Sequence, residues 1–75
     1  MNDARRKRIA AAVSQLEQLA DDVRALADEE QEAFDNTPES VQNGDRGSAM
    51  QEAIDALTEV ADAIGEAKDS LANLT

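Results

Sequence analysis

The sequence predicts an all-α protein: a two-helix antiparallel hairpin that self-associates into a four-helix bundle or a higher oligomer. Three observations support this prediction. Apolar residues recur with heptad spacing in both halves of the 75-residue chain, and a turn-rich segment separates the halves. The apolar stripe of each half is also wider than one partner helix can cover. A chain of this length forms one domain at most, residues 1–75.

The apolar stripe of the first half occupies heptad positions a, d and e when Ile9 is placed at position a. It runs to Phe34 with one acidic interruption, Glu30. A stripe of this length predicts a single helix over about residues 3–35. Position a holds Ile9, Leu16, Val23 and Glu30; position d holds Ala12, Leu19, Leu26 and Ala33; position e holds Val13, Ala20, Ala27 and Phe34.

The second half repeats the pattern, and Ser48 with Gln51 three residues later is typical of an N-cap and its capping-box partner. These signals predict a second helix over about residues 49–73. Position a holds Met50, Leu57, Ile64 and Leu71; position d holds Ala53, Val60, Ala67 and Leu74; position e holds Ile54 and Ala61.

The width of these stripes predicts the assembly. A two-stranded coiled coil needs apolar residues only at two of every seven positions, whereas both helices here have three. An isolated hairpin would leave one flank of each helix in water, and pairing two hairpins would bury it. We therefore expect a homodimer or a higher symmetric oligomer.

Composition argues against several classes of function. The chain has no cysteine and no histidine, which removes the usual general base, the commonest nucleophile pairs and the preferred transition-metal ligands. We therefore expect no enzyme, no catalytic residue, no metal and no cofactor. The net charge of −10 would repel nucleic acid, and no apolar run approaches the length of a membrane span. A cytoplasmic location is the corresponding expectation.

Four of the seven cations stand together at Arg5–Arg8. In an antiparallel hairpin we expect this cluster to lie near Glu66 and Asp69, at the C-terminal end of the second helix. The alternatives are a frayed helix end and contact with an acidic partner.

The predicted loop, residues 36–47, is longer than most connections between bundle helices. Thr37 followed by Pro38 predicts an N-cap and a short helical turn, and Asn43-Gly44 predicts a tight turn. Long ordered loops often carry function.

The strongest candidate for a ligand site is this loop. Arg46 stands just before a predicted helix N-terminus, beside Gly47 and Ser48, and this combination suits an anion such as a phosphate. In the alternative interpretation Arg46 pairs with Glu30, Asp45 or Glu39 and only closes the loop. The candidate ligand-binding residues are Glu30, Asn36, Gln42, Arg46, Gly47 and Ser48.

Acidic side chains form a second candidate surface on the outer face of the second helix. Asp55, Glu59 and Asp62 are its central residues, and carboxylates so spaced could imitate the phosphates of DNA or contact a host protein. The alternative is a face that only keeps the protein in solution.

The segment EEQEAFDNTPESVQ, residues 29–42, followed by Arg46-Gly47, resembles a pattern found in small bacteriophage helical-hairpin proteins. In that pattern EEQEA-x-DN-x-PE closes the first helix and an RG pair precedes the second. The match covers the middle third of the chain, and Thr37 stands where an apolar residue is expected. The resemblance implies a phage origin and brings no defined biochemical activity with it. Counter-defence roles in the host cytoplasm are among the classes of function that a phage origin suggests.

Three functions follow as hypotheses. The first is sequestration of a small anionic, nucleotide-derived ligand at the loop. The second is an acidic inhibitor or DNA mimic that binds a host protein. The third is a structural or assembly adaptor whose partners are copies of itself or neighbouring proteins.

Overall fold

The computed structural model describes all 75 residues and contains three helices and no strands: α1 (Asp3–Asp35), α2 (Glu39–Gln42) and α3 (Asp45–Ala72). The two long helices form an antiparallel hairpin measuring 59 × 14 × 12 Å, and α2 lies in the connection between them. The predicted all-α helical hairpin is confirmed. No helix is both long and apolar enough to cross a membrane.

Helix α1 is capped at both ends by asparagine. The side chain of Asn2 accepts a hydrogen bond from the backbone N–H of Arg5 at 2.8 Å, which satisfies one of the free donors of the first turn. At the other end the backbone N–H of Asn36 reaches the carbonyl oxygens of Glu32 and Phe34. These contacts delimit a helix of 33 residues.

The connection is shorter than the sequence predicts, because α3 begins at Asp45 rather than near residue 49. Gly44 is its N-cap and has an extended backbone, so the chain enters the helix one turn before Ser48. The backbone N–H of Ser48 already donates to the carbonyl of Gly44 at 3.0 Å. The N-cap assigned to Ser48 is therefore wrong.

The short turn α2 forms where Pro38 predicts it, but with different caps. Pro38 itself is the N-cap residue, and the hydroxyl of Thr37 donates to the carbonyl oxygen of Ala33 at 2.7 Å. Thr37 thus closes the end of α1 and does not cap α2. A hydroxyl four residues beyond a helical carbonyl is well placed for this bond.

The contact between α1 and α3 uses two of the three apolar positions. The best-buried apolar residues all lie at position e, and most position-a side chains are half-buried. Two packed helices have a seam of two positions in seven, so position d is left outside it. The buried apolar residues are Ala20, Ala27, Ile54 and Ala61.

Two contacts between the helices set their register. Arg24 pairs with Asp62 and Glu17 pairs with Lys68, so each step forward along α1 matches a step back along α3. In this register Ala72, where α3 ends, is level with Ser14. The first three turns of α1 therefore have no helix beside them.

The basic cluster Arg5–Arg8, here called the basic tip, lies on these unaccompanied turns and is exposed. It does not reach Glu66 or Asp69, which are level with α1 residues more than two turns further along. The only ion pair of the tip joins Arg6 to Asp3 on the same helix, at 3.8 Å. The expected pairing across the hairpin is therefore wrong, because α1 extends past the end of α3.

Candidate functional site

The loop is held together by the side chain of Gln42. Its Nε2 atom donates to the carbonyl oxygens of Phe34 at 2.8 Å and Thr37 at 3.0 Å. Phe34 lies in the last turn of α1, where carbonyl groups lack partners within the helix, and Thr37 follows the end of that helix by two residues. Gln42 thus uses its amide N–H groups to tie α2 to α1, and only its side-chain oxygen is free for a ligand.

Gly47 is buried where α3 crosses α2. A Cβ atom at this position would lie 2.6 Å from the Cα atom of Gln42 and would overlap its carbonyl group. The φ angle of Gly47 is not positive, so the position requires glycine for space. Gly47 therefore serves the packing of the loop.

Arg46 stands in the first turn of α3 and is exposed. No carboxylate lies within 4.0 Å of its guanidinium, so it does not pair with Glu30, Asp45 or Glu39. The interpretation in which Arg46 closes the loop by an ion pair is not what the structure shows. Gln42 has that role.

The other three candidates occupy the same end of the molecule without converging on one point. Asn36 and Ser48 are exposed, whereas Glu30 is half-buried at the α1–α3 seam and forms no ion pair. No cavity is present beside them, since both grooves of the structure lie further along the hairpin. The six predicted residues share one end of the rod, and two of them are committed to its structure.

A charged flank runs along one side of the hairpin, where an open groove of about 360 Å³ lies between α1 and α3. Two cations line it, and each joins the two helices. Arg24 lies 3.9 Å from both Asp21 and Asp62, and Lys68 lies 3.7 Å from Glu17. All these groups are at least partly exposed to water, which screens their charges, so the pairs contribute little to stability and chiefly mark the register of the two helices.

The neighbours of Lys68 alter its titration. Its ammonium group lies 3.0 Å from the carboxylate of Asp69, and this hydrogen bond and charge raise the pKa of Lys68 above its ordinary value. The charge of Glu17 acts in the same direction. Lys68 therefore remains a cation at neutral pH and ties α3 to α1.

A second, smaller groove of about 220 Å³ continues along the same flank. Asp62 lines it beside Arg24 and Asp28, whereas Asp55 and Glu59 are exposed further out and carry no ion pair. The predicted acidic surface therefore exists as an exposed face, with one of its three carboxylates shared with Arg24.

The sequence interpretation missed the bridging roles of Arg24 and Lys68. The signal was present, because Arg24 stands at position b, which borders an a/e seam, and Lys68 stands at position e, which belongs to it. It could be recognised only once position e was known to be buried.

The opposite side of the hairpin is apolar. Position d lies about 80° from the centre of the a/e seam on both helices, and in an antiparallel pair this places the two sets on the same side. We call this side the apolar flank; its members are Ala12, Leu19, Leu26 and Ala33 of α1 and Ala53, Val60, Ala67 and Leu74 of α3.

The large side chains of the apolar flank are about half exposed: Leu19 48%, Leu26 52%, Val60 48% and Leu74 56%. The register set by Arg24 and Asp62 makes Leu26 level with Val60. The flank is therefore a continuous stripe between the two helices, about 32 Å long from its first member on α1 to its last.

No group of three or more carboxylates is close enough to hold a metal ion. The arrangement instead offers three surfaces: an apolar flank, a charged flank and a loop end with an unpaired arginine. Comparison with protein-family models, with curated proteins and with solved structures finds no match.

Proposed function

We propose that the chain is a non-enzymatic protein-interaction module that self-associates through its apolar flank and presents its acidic surface to a partner protein. The observation that carries the proposal is the division of the hairpin into an exposed apolar flank and an opposite charged flank. This combines the adaptor and acidic-inhibitor hypotheses, since one flank suits self-assembly and the other suits a partner with a basic surface.

The surface area supports self-association. The chain exposes 5356 Å², whereas a compact folded protein of 8.0 kDa exposes about 4450 Å². Three of the four buried apolar residues are alanines, and Ile54 is the only larger one. A core this small gives little stabilisation alone, and covering four large half-exposed side chains would add about 1 kcal/mol or more for each.

A four-helix bundle is the assembly that best fits this surface. Two hairpins packed flank against flank bury position d of all four helices, completing the a, d and e stripe of each. Along α3 small and large residues alternate, in the order Ala53, Val60, Ala67 and Leu74, and along α1 the alanines Ala12 and Ala33 stand at the two ends of the flank, which favours close packing between layers.

The acidic surface remains outside such a bundle. Asp55 and Glu59 project from α3 away from the apolar flank, and Asp62 borders the charged flank. Carboxylates with little internal pairing attract a basic partner and speed its association. A host DNA-binding protein has such a surface, so inhibition by DNA mimicry is the corresponding mechanism.

Self-association is tested by the molar mass in solution, measured by light scattering after size-exclusion chromatography. The wild type is expected at twice its chain mass of 8.0 kDa or a higher multiple. Replacing Leu19 and Leu26 by serine should shift the measured molar mass towards that of the monomer. The control A25S changes an exposed residue outside the flank and should leave the mass unchanged. A monomeric wild type would refute the proposal.

The acidic surface is tested with the triple amide variant D55N/E59Q/D62N. The immobilised wild type should retain proteins from bacterial lysate at about 50 mM salt and release them at about 500 mM salt. The triple variant should not retain these proteins at the lower salt concentration. The control D22N/E29Q/E32Q removes three charges from α1 and keeps the net charge of the two variants equal. Equal loss with both variants would point to net charge alone.

One observation favours ligand sequestration at the loop as a second candidate. Arg46 is exposed, unpaired and in the first turn of α3, where backbone N–H groups are free to bind an anion. A panel of cyclic and linear nucleotides, screened by native mass spectrometry, tests it. Binding should disappear in R46A while the helix content stays the same; binding unaffected by R46A would exclude this site.

The setting of the proposal is a bacteriophage protein acting in the cytoplasm of its host. It is supported by the resemblance of residues 29–42 and Arg46-Gly47 to phage helical hairpins. An interaction module fits such a setting, because a short chain without catalytic groups can still block or assemble a larger protein.

A further inference from the structure

We propose that the two hairpins of the assembly lie antiparallel, so that the basic tip of each protomer covers the acidic loop end of its partner. This rests on the proposed self-association and specifies its geometry. The occupant of the apolar flank is a second copy of this chain, reversed end for end.

The charges of the rod are separated along its length of 59 Å. The basic tip holds four of the seven cations at one end. The loop end, residues 28–52, holds eight of the seventeen acids against one cation, Arg46. Two such rods attract when they lie antiparallel and repel when they lie parallel, because a parallel pair brings eight cations to one end.

The apolar flank is compatible with this reversal. Along α1 its members read Ala, Leu, Leu, Ala at equal spacing, from Ala12 to Ala33. A two-fold axis perpendicular to the helices and midway between Leu19 and Leu26 therefore matches the α1 half of the flank with its own copy. Leu19 meets Leu26 of the partner subunit, and Ala12 meets Ala33 of the partner subunit. Such a self-complementary contact is the usual form of a two-fold interface.

The same axis determines where the basic tip lies. Arg5–Arg8 come level with residues 37–40 of the partner subunit, close to the carboxylates that end its α1 and to Glu39, the single carboxylate of its α2. In a single hairpin these cations lie at a helix N-terminus, where the helix dipole disfavours them, and no helix accompanies them. The partner's carboxylates would compensate this charge twice in each dimer.

The arrangement is tested by the distance between spin labels in a dimer of A4C, because the chain has no other cysteine and Ala4 is exposed and uncharged. Two labels in an antiparallel dimer should lie about 55 Å apart, from 1.5 Å of rise per residue. Labels in a parallel dimer should lie less than about 25 Å apart, the width of a bundle.

The three outcomes separate the two proposals. A distance near 55 Å supports the antiparallel arrangement, and a short distance overturns it while leaving self-association intact. If the labelled protein shows no dipolar coupling and the wild type is monomeric at every concentration tested, both the antiparallel arrangement and self-association are overturned.

A charge exchange gives an independent test. Reversing the tip (R5E/R6E/K7E/R8E) should weaken the dimer about tenfold or more at low salt, since like charges then face each other. Adding E32K/D35K/E39K to the same chain should restore the affinity, because both contacts regain opposite charges. A combined variant no tighter than the tip variant would overturn the arrangement even if the dimer persists.

Discussion

The backbone of Gly47 lies directly against the carbonyl group of Gln42, leaving no room for a Cβ atom between α3 and α2. This contact and the two hydrogen bonds of the Gln42 amide hold the connection at the end of the hairpin. The connection is thus a packed structure in which one glycine and one glutamine depend on each other.

Gly47→Ala should destabilise the fold by about 1–3 kcal/mol, because the added methyl group overlaps backbone atoms that cannot move aside easily. Gly65→Ala is the matched control, since its Cβ would meet only the flexible end of Arg24 at 3.6 Å. That substitution should stabilise α3 by about 0.5–1 kcal/mol through helix propensity. Urea unfolding of both variants measures the difference; effects of the same sign would contradict the contact.

Gln42→Ala should cost about 1–2 kcal/mol, because it leaves the carbonyl groups of Phe34 and Thr37 without their side-chain donor in a partly buried place. Gln18→Ala removes an exposed hydrogen bond to Asp22 on one helix and should cost less than about 0.5 kcal/mol. Chemical unfolding midpoints compare the two. Equal costs would mean that the loop amide adds nothing to stability.

The ion pairs of Lys68 should stabilise the fold at neutral pH and cease to do so in strong alkali. The pKa of Lys68 is raised in the folded state, first by Asp69, so the folded protein holds this proton more tightly than the unfolded chain. The contribution is complete below the unfolded pKa of about 10.4 and is lost as pH rises through the folded pKa.

The measurement is the difference in Tm between wild type and K68Q, at pH 8 and above pH 11. It should be present at the lower pH and disappear at the higher. The variant R24Q removes a cation that keeps its charge throughout this range, so its difference in Tm should persist. A K68Q difference that does not change with pH would show that the side chain acts through packing.

Self-association should make the Tm of the wild type depend on protein concentration. Each tenfold dilution weakens a dimer by about 1.4 kcal/mol, which corresponds to about 4 °C for 150 residues unfolding together. Calorimetry over a hundredfold range measures this. The double variant L19S/L26S should show no such dependence, and a wild type that also shows none would argue against an obligate dimer.

Local signals identified the helices better than their ends. The apolar stripe from Ile9 to Phe34 indicated one long helix, whereas Ser48, the predicted N-cap of the second helix, lies one turn inside α3, whose N-cap is Gly44. Serine is the better N-cap by side chain, but Gly44 has the extended backbone that lets the helix begin there. Which residue begins a helix depends on the path of the chain before it, which propensity does not describe.

The candidate loop residues illustrate the same limit. Residue types and order indicated an anion site with Gln42 and Gly47 among its members, and folding assigned both to the packing of α2. Arg46 remains without an ion pair, although Asp45 precedes it directly and Glu39 stands on the short helix before it. Proximity along the chain did not predict proximity in space.

By itself, the sequence determined an all-α hairpin with apolar residues at positions a, d and e, because helical periodicity is local and repeats in both halves. Only the tertiary structure decided that positions a and e form the seam and that position d is exposed. The pairs a/d and a/e have equivalent spacing along a helix, so either could face a partner. Contacts with the other helix distinguish them, including Arg24 with Asp62 and Glu17 with Lys68, and these depend on how the two helices meet.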